Sequence, residues 1–234
     1  MATTTTAKPR RPKLTRRANP PQPTAHGSPA TVGDLLKRLG NIPARRVRLH
    51  PTPGTATEKD LIKILDGNER LCELVEGTLV EKPMGYEESE IAVTIITALN
   101  TFVRRRKLGI VTGPDGPFKL FGGLVRMPDI AYTSWDRFPG RKRPKVPIPH
   151  LAPDLAVEVL SKSNTRAEIK RKLGEYFGAG VRLVWVVDPK KPTVRVHASA
   201  DPSVLLEEGQ SLDGGDVLPG FALSLEEIFA EQEP

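Results

Sequence analysis

The sequence predicts a mixed α/β fold, of the α+β kind, in which a central mixed sheet is flanked by helices. Three observations lead there. Residues 87–107 place Ile91, Ile95, Leu99 and Phe102 at three- and four-residue spacing, the stripe of a long amphipathic helix. Two nearly unbroken apolar runs, PDLAVEVLS and VRLVWVVD, suit strands covered on both faces. Between those runs lies a helical segment opened by Thr165 and closed by Gly178 and Gly180.

The chain has 234 residues, enough for one domain with extensions or at most two small ones. Residues 1–26 carry six cations and no acid, which leaves the remainder at a net charge of only +1. That Thr- and Pro-rich stretch has no apolar periodicity, so residues 1–30 read as a disordered basic tail. Its two readings are an electrostatic arm for nucleic acid and a solubilising tail. It lacks the apolar core of a secretory signal, and its prolines do not suit a transit peptide.

Residues 31–69 read as a short helical extension. Thr31 caps a helix through Leu35, Leu36 and Leu39, a Pro-punctuated loop follows, and Thr57 opens a second helix that closes at Asp66-Gly67. The main domain occupies residues 70–234. It begins with two short strands joined at Glu76-Gly77, a hairpin signal, and continues into the long helix. The helix ends in Arg104-Arg105-Arg106-Lys107, where cations complement the negative end of its dipole. Short strands come next, in IVTG, FKLF and GGLVRMPDIAYTSW, then a basic loop containing Arg137, Arg141, Lys142, Arg143 and Lys145. After the two apolar strands come VRVHA, a short strand at SVLLEE, a Gly-rich turn at residues 212–216 and a terminal helix around 225–229.

Much chemistry is excluded at once. Neither GxGxxG nor GxxxxGK[ST] occurs, so no nucleotide cofactor is expected, and no serine elbow or HExxH pair is present. His26, His50, His150 and His197 are dispersed, and Cys72 is the single cysteine, which rules out a cysteine-built metal site and suits a reducing cytoplasm. No run is long enough for a membrane helix.

What remains is carboxylates in apolar surroundings. Glu158 is flanked by Ala156, Val157, Val159 and Leu160, and an isolated charge there costs several kcal/mol, so it needs a cation, a proton or an ion-pair partner such as Arg182 or Lys172. Asp129 follows Pro128 at the start of a strand, as a turn residue or as a site acid. Two carboxylates on neighbouring strands can share a hard cation such as Mg²⁺, whose waters supply a nucleophile for phosphodiester hydrolysis. A nearby lysine would stabilise the transition state.

Pro128-Asp129, then Glu158-Val159-Leu160-Ser161, Lys172, Tyr176 and Val184-Trp185-Val186-Val187-Asp188-Pro189 together resemble the PD-(D/E)XK nuclease fold, and more narrowly the Uma-two family of bacterial endonucleases. Glu73-Leu74-Val75-Glu76-Gly77 and Val217-Leu218-Pro219-Gly220-Phe221 also match, so the resemblance covers about residues 70–230. It implies a restriction-endonuclease-like central sheet and a Mg²⁺- or Mn²⁺-dependent enzyme acting on DNA. Asp129 and Glu158 would be the metal ligands and Glu73 a further acidic site residue.

One departure stands out. The position two beyond Glu158, where the superfamily usually has lysine, is Leu160. Lys172 is the expected replacement, one helical turn from Tyr176, with Lys162 and Lys170 as rivals. Glu73 is preferred to Glu76, which alternation puts on the other strand face next to the turn. Arg104, Arg105, Arg141, Lys142 and Arg143 could track a phosphate backbone if they flank the cleft. Ser161 would either bond a ligand carboxylate or cap the loop. Homodimerisation is common among nucleases that cut both strands, although one chain displays no interface. The alternative to an enzyme is a non-catalytic nucleic-acid-binding or scaffold protein with the same fold. Two acids around an empty site repel, so removing one would be expected to raise the melting temperature.

Overall fold

The computed structural model describes residues 29–67, 70–83 and 85–230; the basic tail expected over residues 1–30 lies almost wholly outside them. Two short helices come first, α1 (Val32–Arg38) and α2 (Glu58–Asp66). A hairpin of β1 (Cys72–Val75) and β2 (Thr78–Glu81) leads to the long helix α3 (Tyr86–Arg106). Four strands follow: β3 (Gly109–Thr112), β4 (Phe118–Phe121), β5 (Leu124–Arg126) and β6 (Ile130–Ser134). Next come β7 (Leu155–Val159), α4 (Arg166–Gly178), β8 (Leu183–Asp188) and β9 (Thr193–His197). The chain ends in β10 (Val204–Leu206), β11 (Ser211–Gly214), β12 (Leu218–Ser224) and α5 (Leu225–Phe229).

These strands form three sheets rather than one. Six of them order as β10-β9-β8-β7-β6-β3, in which β7 and β8 are parallel and joined through α4. Four others order as β2-β1-β5-β4, and β11 pairs with β12. The division falls inside GGLVRMPDIAYTSW. Pro128 cannot donate a ladder hydrogen bond, and at Met127-Pro128-Asp129 the chain leaves β5 in the smaller sheet and enters β6 in the larger. The Gly-rich segment also differs from expectation, since β11 runs through Gly214 with a bulge at Asp213/Gly214 before the turn.

Strand alternation sorts the core. Leu155, Val157 and Val159 of β7, with Trp185 and Val187 of β8, pack on α3 and α5, while Ala156, Val184 and Val186 face α4 and α1. Glu158 shares that second face. A third cluster places Leu61 and Ile64 of α2 against Cys72, Leu74 and Val125 on the back of the smaller sheet. The helical extension is thus built into the same body.

Local signals explain the joints. Thr165 and Glu168 form a capping box that starts α4. Glu76 and Gly77 both have positive φ, 48° and 68°, the left-handed pair a tight hairpin turn requires. Gly40 seats α1 against α4: at φ 85°, a Cβ there would lie 2.6 Å from the Glu168 backbone.

Candidate active site

At the seam between the two larger sheets, three buried carboxylates meet three buried cations. Glu73 projects from β1 on the face opposite Cys72 and Leu74. Its Oε2 accepts from Arg126 (2.7 Å) and its Oε1 from the Met127 amide (3.0 Å), with Lys172 Nζ at 3.4 Å from Oε1. Asp129 stands immediately before β6, and its Oδ2 accepts from the Val159 amide at 2.6 Å. Lys82, the first residue after β2, reaches its Oδ1 at 2.7 Å. Lys82 donates as well to the carbonyls of Met127 (2.7 Å) and Pro114 (3.1 Å), so all three ammonium protons are used.

Glu158 completes the set from β7. Lys172 donates to its Oε2 at 2.8 Å and the Tyr176 hydroxyl to its Oε1 at 2.5 Å. Lys172 and Tyr176 sit one turn apart on α4, which gives both the same inward direction. Behind them Arg126 also binds Glu175, whose other oxygen accepts from Arg171.

The same surroundings push two of the carboxyls in opposite directions. Burial alone would raise Glu73, but Lys172 and Arg126 outweigh it and hold the group below the usual carboxylate range. At Glu158 burial prevails, reinforced by the charges of Asp129 and Glu73 against the pull of Lys172, and its pKa is raised. Burial would also lower Lys172, yet Glu158 and Glu73 raise it, so this lysine stays protonated. Tyr176 is raised by burial and by Glu158, and remains a phenol that donates.

The structure therefore brings Asp129, Glu158, Lys172 and Glu73 together, whereas the rival lysines Lys162 and Lys170 are exposed. Glu76 turns away to Arg171 (2.8 Å). Arg182 is not a partner of Glu158; it lies 3.8 Å from Asp154. Ser161 bonds Asn164 within its own loop, the capping role.

Arg104, Arg105 and Arg141, considered as backbone contacts flanking the cluster, do not flank it; Lys142 and Arg143 follow Arg141 in the chain. Ile130 pairs with Val157 and Tyr132 with Leu155, so β6 ends beside the start of β7, and Ser134 pairs in turn with Gly109. The arginines that close α3 stand directly before Gly109, at the end of the sheet away from Glu158. Arg141 pairs with Asp136, just beyond β6, at that same end.

Sequence reasoning missed Lys82, Arg126 and Glu175. Arg126 interrupts LVRMP just as Glu158 interrupts LAVEVL, so the anomaly that exposes one exposes the other. Lys82 carries a fainter signal, a lysine between the end of an apolar strand and a proline.

Among the described residues, no group of three or more His, Cys, Asp and Glu is placed to hold an ion. The donor set that is present, carboxylates of Asp129 and Glu158 on adjacent strands, is all oxygen and fits a hard divalent cation. Each carboxylate is already met by an ammonium, so a cation would take the place of Lys82 or Lys172 on one of them.

A sheet with one parallel pair, helices on both faces and buried acids at a strand end defines the restriction-endonuclease-like class. The profile of the Uma2 family, described as "Putative restriction endonuclease", matches residues 59–226. The chain belongs to the Uma2 family. The fold matches the crystal structure of a protein from Anabaena variabilis described as "a putative nuclease belonging to DUF820", with 22% identity, a TM-score of 0.61, and coverage of 68% of this chain and 89% of that one. No curated protein matches the chain. Among the described residues no helix is long and apolar enough to cross a membrane.

Proposed function

We propose that this chain is a Mg²⁺- or Mn²⁺-dependent endonuclease that hydrolyses DNA phosphodiester bonds. The observation that carries this reading is the meeting of Asp129, Glu158, Lys172 and Glu73 in one buried cluster, although they come from four separate segments. Asp129 and Glu158 would hold the metal, which when bound supplies an activated water and neutralises phosphate charge. Glu73 keeps its negative charge and, with Arg126, anchors Lys172 within reach of Glu158. Lys172, protonated, offers a cation to the charge that develops on the phosphate. The Tyr176 hydroxyl fixes the rotamer of Glu158. A second copy of the chain would account for cutting of both strands. A buried Cys72 suits the cytoplasm.

A second reading has its own support. Lys82, Lys172 and Arg126 already face Asp129, Glu158 and Glu73, so the three acids meet three cations without a metal, as a non-cutting nucleic-acid-binding or scaffold protein would allow. Cleavage of supercoiled plasmid in Mg²⁺ or Mn²⁺ decides between them. Cutting by the wild type that is lost in Asp129→Ala supports the enzyme. A folded wild type that neither cuts nor takes up Mn²⁺ in calorimetry supports the binding protein.

A further inference from the structure

The carboxylates lie at the carboxyl ends of the parallel pair β7–β8, the end of an open sheet where ligands bind. On that end a cavity of about 720 Å³ opens between α4 and β9. Six cations line it: Lys162, Arg166, Lys170, Lys190, Lys191 and Arg195. Among the described residues, the first five have no acid within ion-pair distance. Asp188 and Asp201 also line the groove, so cations outnumber acids there three to one. A surface of one predominant sign beside buried acids is unexplained by the packing, since none of these side chains supports the core.

Register ties the groove to the cluster. Glu158 pairs with Val186, and Val186 with Arg195, so all three share one row on the α4 face. Arg195 is therefore two strand spacings, about 10 Å, from Glu158. At its other end the groove shares Ser161 and Lys162 with a neighbouring cavity lined by Arg45. Arg45 in turn lines the cavity that reaches Lys82, the partner of Asp129. The cavities thus continue to the cluster, past Glu87 and Glu88 on the wall of the second.

The floor holds an independent sign of a ligand. His197 is only 4% exposed, and neither ring nitrogen has a hydrogen-bond partner. Its neighbours Val194 and Val196 on β9 pack toward the α3 core, so the ring faces the groove. The charges nearest it are Arg195 and Asp201, and the backbone of Ser199 and Ala200 lies close without bonding geometry. A buried imidazole N–H with no partner is costly, and an anionic oxygen in the groove would satisfy it.

We propose that the groove between α4 and β9 carries the phosphate backbone of duplex DNA to the carboxylate cluster. The assignment rests on the nuclease reading for its occupant and goes beyond it in locating the track. It also moves the phosphate contacts from Arg104, Arg105 and Arg141 to the opposite end of the sheet.

The test is fluorescence anisotropy of a labelled duplex oligonucleotide in EDTA, so that binding is read apart from cleavage. The full chain is compared with Lys170→Ala/Lys191→Ala, two exposed lysines whose loss does not threaten folding, and with Arg104→Ala/Arg105→Ala as control. Each lost phosphate contact lowers the slope of log K against log salt by about 0.9, so the groove variant should lose about 2 and the control nothing. An unchanged slope in the groove variant, or an equal drop in the control, overturns the assignment. If the wild type still cuts plasmid in that case, the groove fails and the nuclease stands. If the groove slope falls but no metal supports cutting, the groove stands and the nuclease fails. A wild type that does not bind duplex DNA overturns both.

Discussion

Two buried acids near α4 behave in opposite ways. Glu168 sits in the first turn of the helix and takes Arg46 bidentately, at 2.8 and 3.0 Å, with Asn164 adding a third donor. Burial would raise its pKa, but the bond from Arg46 outweighs this and the group is lowered. Glu158, also buried, has one ammonium and one hydroxyl, faces two other acids, and is raised. The first arrangement uses up its acceptors on a matched cation and braces the loop to α4 against residues 44–46. The second crowds acids around too few donors. Burial of a charge alone therefore does not mark a site; the mark is a set of neighbours that push equivalent groups apart.

Activity should separate the two acids most. Asp129→Ala should lower plasmid cleavage at least about a hundredfold, with an unchanged circular dichroism spectrum. Glu168→Ala should leave the cleavage rate of folded protein intact, and an equal loss there would erase the distinction. Stability should show the reverse order. Glu168→Ala strands a buried Arg46 and should cost about 3–5 kcal/mol in urea unfolding. Glu158→Ala leaves Lys172 with Glu73 as a partner, so its cost should be smaller, about 1–3 kcal/mol. That sign replaces the rise in melting temperature expected from two repelling acids, because Lys172 stands beside Glu158.

The pH dependence of unfolding should separate the pair further. The lowered Glu168 contributes stability above the unfolded carboxyl value of 4.5, and this is lost as pH falls through its folded value. Glu168→Gln should flatten the acid limb. For Glu158, raised above 4.5, the folded state holds the proton more tightly and stability falls as pH rises through that window. Glu158→Gln should remove that fall. Identical pH profiles for the two variants would sink the contrast.

The helices and most strands were legible because their signals are local. Thr31, Thr57 and Thr165 start helices, Glu76-Gly77 turns a hairpin, and the apolar runs of β7 and β8 are unmistakable. The partition into sheets was not, because it depends on which strands pair, and only Pro128 hinted at the break. At the site, Asp129, Glu158, Lys172 and Glu73 were named from strand context and family pattern, and the structure places them together. Lys82 and Glu175 were missed because their polarity is ordinary for a strand end and a helix face. Arg104, Arg105 and Arg141 fall at the other end of the sheet from Glu158 for a related reason: clustering in sequence shows charge density but not which end of a sheet receives it. The cations that line the groove are scattered from residue 162 to 195 and form no run.

The break at Pro128 carries a consequence for how the molecule comes apart. Glu73, Lys82 and Arg126 belong to the smaller sheet and its edges, whereas Asp129 and Glu158 belong to the larger one. The smaller sheet has its own apolar cluster with α2, and if the core that its other face shares with Ala156 and Val184 parts first, it opens as a unit before the rest. Amide exchange should then be faster at Leu74 and Leu79 than at Val157 and Trp185. Such an opening would take the cluster apart while the Trp185 core stayed intact, and loss of function would precede any global unfolding transition.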